Sequence, residues 1–73
     1  MTKINLFAER LKKLRKDKRN TQSEVAKTVG VKQNSCSEWE TGKREPNLDR
    51  VIQLADYFGV TTDYLLGREE EKS

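Results

Sequence analysis

Apolar residues recur along this chain in short blocks at helical spacing, and glycines punctuate the blocks. Phe7, Leu11 and Leu14, spaced i, i+4, i+7, predict a first helix from Leu6 to about Lys18, with Asn5 as its cap. Val25, Ala26 and Val29 form the apolar face of a second helix beginning at Gln22. Thr21 and Glu24 make a capping box at its start, and Gly30 suits the left-handed position that ends it. A third helix is expected from about Gln33 to Thr41, apolar at Cys36 and Trp39 and closed by Gly42. Its start is weak, because Lys32 stands where a capping Ser, Thr or Asp belongs. Beyond the basic loop KREPN, Leu48, Val51, Ile52, Ala55 and Phe58 mark the buried stripe of a fourth helix. Asn47 caps it, Asp49 suits its positive end, and Gly59 stops it. Thr61 caps a last short helix from Thr62 to Leu66, ended by Gly67. Tyr64, Leu65 and Leu66 lie on a helix too short to bury them all, so they serve either terminal core packing or self-association. No strand alternation or repeat is present. The prediction is an all-α fold of five short helices, one domain over residues 1–67. Residues 68–73 (REEEKS) are a polar tail or the start of a linker.

Composition narrows the function more by exclusion than by assertion. No apolar run is long enough to span a membrane. The start lacks the pattern of a secretory signal, and the single Cys36 cannot form an internal disulfide, so a cytoplasmic setting is expected. The chain has no histidine, and one cysteine makes no metal site. Nucleophile–histidine pairs are impossible, and a domain this small has little room for a substrate pocket. No enzyme, cofactor or metal is expected. The charge is unevenly placed. The chain carries a net +3, but residues 1–44 hold 12 Lys and Arg against 5 Asp and Glu, whereas residues 45–73 hold 3 against 7. Either the front half meets a polyanion or it simply carries a solvated lysine-rich face.

The ordered set Gln22, Ala26, Gly30-Val31, Ser35, Trp39-Glu40, Gly42 and Pro46, followed by LADYFGVTTDYLLG at 54–67, resembles the phage Cro/repressor type of helix-turn-helix domain, the XRE family. The resemblance covers about residues 6–67. It implies a lambda-repressor-like fold and a sequence-specific transcriptional regulator, a repressor, that seats its third helix in the major groove of double-stranded DNA. It implies a homodimer on an inverted-repeat operator and leaves open whether the free chain is a monomer. It leaves open a phage repressor, an antitoxin or a restriction-system controller. A protein-interaction module that kept the fold is the competing reading.

Site residues follow from helical angle. At about 100° per residue, Asn34, Ser37, Glu38 and Thr41 lie roughly opposite Cys36 and Trp39, with Gln33 on the flank of the first turn. Gln33 and Asn34 each offer a donor and an acceptor that match adenine N6 and N7. Ser37 can donate or accept; Glu38 either accepts from cytosine N4 or repels phosphate. These four are the expected base contacts. Gln22, in the first turn of the second helix beside free backbone N–H groups, is an expected phosphate contact, as it is in the resembled family. Lys43 and Arg44 in the following loop, with Lys32 and Thr41 flanking the third helix, complete the phosphate set. Lys27, Arg10 and Lys12 are expected to contribute only to the general field. Arg15 and Glu40 each sit roughly 40° from the centre of their helix's apolar stripe. A charge there is costly unless paired, so a mutual ion pair is expected, and the resemblance implies the same. Cys36 and Trp39 are assigned to the core.

Overall fold

The structure, a computed structural model, describes residues 3–68, with side chains from Leu6 onward. Five helices follow in order: α1 (Lys3–Asp17), α2 (Gln22–Val29), α3 (Gln33–Thr41), α4 (Leu48–Phe58) and α5 (Thr62–Leu65). Among the described residues there is no strand. The stretch expected as a tail or linker, 68–73, lies outside the described residues apart from Arg68.

Local chemistry sets each boundary. Thr21 and Glu24 form the complete capping box, Thr21 Oγ1 accepting from the Glu24 N–H and Glu24 Oε1 from the Thr21 N–H. Asn47 and Thr61 cap α4 and α5 through their side chains. Gly30 (φ 78°) ends α2 with the paired bonds of a Schellman motif, Val31 N–H to Ala26 C=O at 2.9 Å and Gly30 N–H to Lys27 C=O at 3.2 Å. The same pair of bonds ends α1 around Arg19, a non-glycine residue at φ 61°. Because α1 begins at Lys3, Asn5 lies inside it; the expected cap at Asn5 is not there.

The core joins all five helices: Phe7 and Leu11 from α1, Val25, Ala26 and Val29 from α2, Cys36 and Trp39 from α3, Val51, Leu54 and Ala55 from α4, and Leu65 from α5. Ala8 is buried beside them, and Leu14 packs against the cluster partly exposed. Tyr64 lies under the Arg10 guanidinium, 4.2 Å from its centroid, and its carbonyl accepts a bond from Arg10 Nη1. Leu66 packs partly buried on the core. α5 therefore packs on the core, and Arg10, besides its charge, ties α5 to α1.

The α4 stripe is turned from its expected position. Leu48 is 69% and Ile52 43% exposed, while Leu54, absent from the expected set, is fully buried. Val51, Leu54, Ala55 and Phe58 form one continuous helical stripe, and Leu48 and Ile52 sit at its outer margin. Both stripes satisfy helical spacing, and burying Leu54 orients α4 toward α2 and α5.

Candidate nucleic-acid interface

The α2–α3 unit is held tightly because α2 packs directly on α3 and α1 supports α3 from behind. The Gly30 turn is what lets the chain reverse so sharply between them. α3 buries Cys36, Trp39 and Glu40 and exposes Gln33, Asn34 and Thr41, with Ser37 and Glu38 half-buried. Asn34, Ser37, Glu38 and Thr41 thus lie on the side away from the core, and Gln33 sits at the exposed start.

Behind this face Glu40 is a hub. Arg15 grips it with two bonds, Nε to Oε2 at 2.5 Å and Nη2 to Oε1 at 3.0 Å. Its side chain is 2% exposed, so the guanidinium offsets a charge that would otherwise be stranded. Glu40 in turn raises the Arg15 pKa, chiefly through the hydrogen bond. Arg15 Nη1 also donates to the Asn20 carbonyl at 2.9 Å, which fixes the α1–α2 turn. The Tyr57 hydroxyl reaches the Asn20 side chain from α4 at 2.7 Å. The Cys36 thiol lies 3.8 Å from Glu40 Oε2 and is pushed up to about 12 by burial first and by the Glu40 charge second. At Glu24 the Thr21 backbone N–H, and after it the Asn20 side chain, lowers the carboxyl pKa.

Gln22 has a partner that the sequence did not disclose. Its Nε2 donates to Glu40 Oε1 at 3.1 Å, and its Oε1 accepts from Gln33 Nε2 at 3.5 Å. Ser23, missed in the sequence, donates from its hydroxyl to Gln33 Oε1 at 3.1 Å. Unlike Arg15 and Glu40, Gln22 and Ser23 carry no charge that a position beside an apolar stripe would require to be paired, so only the three-dimensional arrangement shows their contacts.

The cations occupy both ends of α3. Lys32 stands at the N-cap position without a side-chain cap bond and is exposed. Lys43 and Arg44 follow the Gly42 C-cap and are exposed. Arg44 pairs with Glu38, Nε to Oε1 at 3.3 Å, two groups from the expected phosphate and base sets. Thr41 Oγ1 bonds back to the Glu38 carbonyl at 3.2 Å. Lys12, Lys13 and Lys16 share an open depression on α1 with Glu9 and Asp17, so part of the basic excess is a mixed, solvated face.

This geometry defines a class: a small all-α unit whose paired helices present an exposed polar helix flanked by cations. The chain belongs to the helix-turn-helix family, whose model matches residues 11–65, in agreement with the resemblance carried by Gln22 through Pro46 and 54–67. It is 37% identical to the HTH-type transcriptional regulator ImmR of Bacillus subtilis over 64 residues, 88% of this chain and 50% of that protein. It is 34% identical to repressor protein C2 of Salmonella phage P22 over 84% of this chain and 28% of that one. The crystal structure of the P22 c2 repressor in complex with synthetic operator 9T superposes with a TM-score of 0.82 at 32% identity, over 86% of this chain and 96% of that chain. The chain spans from 28% to 59% of the length of the curated relatives it matches. Among the described residues no helix is long and apolar enough to cross a membrane, and no cluster of side chains is suited to hold a metal ion.

Proposed function

We propose that this chain is the sequence-specific, double-stranded-DNA-binding unit of a cytoplasmic transcriptional regulator, a repressor, that lays α3 in the major groove. The observation that carries the reading is the α3 surface: an exposed polar face with Lys32 at one end and Lys43 and Arg44 at the other. Gln33, Asn34, Ser37 and Glu38 face base edges. Gln22, Lys32, Thr41, Lys43 and Arg44 meet phosphates on either side. The P22 c2 repressor, which shares the fold and was solved in complex with a synthetic operator, supports DNA as the partner.

Two copies bind one inverted repeat, with half-sites about one helical turn apart. Leu48 and Ile52 are the large hydrophobic side chains exposed among the described residues, so these residues offer little apolar surface for pairing without DNA.

The test is affinity for duplex DNA against salt. A chain that neutralises Z phosphates gives a log–log slope of about −0.9Z, together with preference for one selected site. A flat response would transfer the surface to a protein partner. With the site in hand, Asn34→Ala relaxes preference at one base pair, whereas Lys43→Ala weakens all sequences alike.

A further inference from the structure

The amides between α2 and α3 form a chain that has a direction. Both oxygens of Glu40 are engaged by Arg15, and a carboxylate in that fork accepts and does not donate. Gln22 must therefore turn its NH2 group toward Glu40, at 3.1 Å, and its carbonyl oxygen away. That oxygen receives Gln33 Nε2 at 3.5 Å, which turns the Gln33 carbonyl toward the Ser23 hydroxyl at 3.1 Å. A serine hydroxyl works in either sense and an amide can flip; the carboxylate alone has a fixed polarity.

We infer that Glu40, buried and touching no base, fixes through Gln22 which end of the Gln33 amide donates and which accepts, and so sets the base preference at the pair Gln33 reads. This rests on the proposed reading of Gln33 as a base contact. An amide carries two N–H donors and two carbonyl lone pairs. The contacts with Gln22 and Ser23 use one of each. The remaining edge offers one donor and one acceptor side by side, the set that adenine N7 and N6 require. A reversed amide sets its N–H against the adenine N6 amino group and its oxygen against N7, turning two hydrogen bonds into two repulsions. Glu40 is thus a positioning residue for recognition as well as an anchor for Arg15.

The experiment reads base preference separately from affinity. Its probes are the duplex selected from random DNA by the wild-type chain and every single-base-pair variant of that duplex. Glu40→Gln replaces the fixed acceptor with an amide able to present either end. Gln22→Met cuts the chain between Glu40 and Gln33 and leaves the Arg15–Glu40 pair in place. In both variants discrimination at one base pair of each half-site falls about tenfold, while discrimination elsewhere is kept. Gln33→Ala abolishes the same preference, and adding Gln22→Met to it changes no base preference further. If both variants weaken every duplex by one common factor and keep the wild-type order of bases at that pair, the inference is overturned. Should Glu40→Gln fail to fold, Gln22→Met decides the matter by the same criterion. A wild-type chain with no base preference anywhere fails earlier, at the reading of α3 itself.

Discussion

Arg15 on α1 and Glu40 on α3 meet as a two-pronged ion pair across 25 residues of chain, with Nε and Nη2 each on its own carboxylate oxygen. The Arg15 side chain is 13% and the Glu40 side chain 2% exposed, so water cannot replace either partner. Removing the arginine strands a buried carboxylate, a change that costs about 3 kcal/mol. Arg15→Ala is therefore expected to lower the urea midpoint strongly. Arg15→Met with Glu40→Met removes both charges together and is expected to cost less than Arg15→Ala alone. An unchanged midpoint in Arg15→Ala would mean that the pair bears little of the attachment of α3.

Lys32 presents a conflict between folding and binding. At the N-cap of α3 it leaves the first N–H groups without a side-chain acceptor. Its positive charge also faces the positive end of the helix dipole. Lys32→Ser supplies the missing acceptor and is expected to raise stability by roughly 1 kcal/mol, seen as a higher melting midpoint. The same change removes a cation beside the proposed groove-facing end, so affinity falls for all duplexes and the salt slope becomes shallower by about 1. Higher stability with undiminished DNA affinity would take Lys32 out of the phosphate set.

Glu38 and Arg44 neutralise one another at 3.3 Å, with the Arg44 side chain 74% exposed and that of Glu38 39%. Only Oε1 of Glu38 is engaged, so its second oxygen is still able to accept, and substitution separates the two proposed roles of Glu38, reading of cytosine and repulsion of phosphate. Glu38→Gln frees Arg44 and removes a negative charge from the face. Tighter binding to every duplex and a steeper salt slope are expected. Selective loss at a single G·C pair is the result that would make Glu38 a base reader.

Much of the fold was legible because it is written in short-range chemistry. The Thr21–Glu24 box, the Asn47 and Thr61 caps and the glycines at 30, 42 and 59 each act within a few residues, where sequence order is spatial order. The start of α1 was not legible, since a helix that begins at Lys3 carries no cap signal at Asn5. On the candidate face, the exposure of Gln33 and Asn34 and the burial of Cys36 and Trp39 followed from helical angle. The links from Glu40 to Gln22 and from Gln33 to Ser23 did not, because they depend on how two helices pack.

Cys36 is fully buried and its thiol is pushed up to about 12, so two barriers protect it from thiolate chemistry. At pH 8 its reaction with an aromatic disulfide reagent is expected to follow the rate and extent of opening of the fold, and Arg15→Ala is expected to accelerate it. The sign for stability follows from the raised value. The neutral thiol is favoured in the folded state, so this contribution is complete below the ordinary value of 9.0 and is lost as pH rises toward about 12. Labelling as fast as that of a free thiol in the folded protein would contradict the burial.

Leu48 and Leu54 lie on the same helix and satisfy the same apolar periodicity, yet one is 69% exposed and the other 0%. Leu54 packs in the common core with Leu11, Val25 and Leu65, so Leu54→Ala opens a cavity as well as losing transfer energy. A cost of about 3 kcal/mol is expected. Leu48→Gln removes apolar surface that water already covers in the free chain, and its effect on the free chain should stay within about 0.5 kcal/mol. Urea titrations of the two variants side by side measure the difference. A Leu48→Gln variant as damaged as Leu54→Ala would return α4 to the stripe expected from spacing alone, with Leu48, Val51 and Ile52 inward. It would also disturb the placement of Asn47 and the KREPN loop that carries Lys43 and Arg44 toward the proposed DNA.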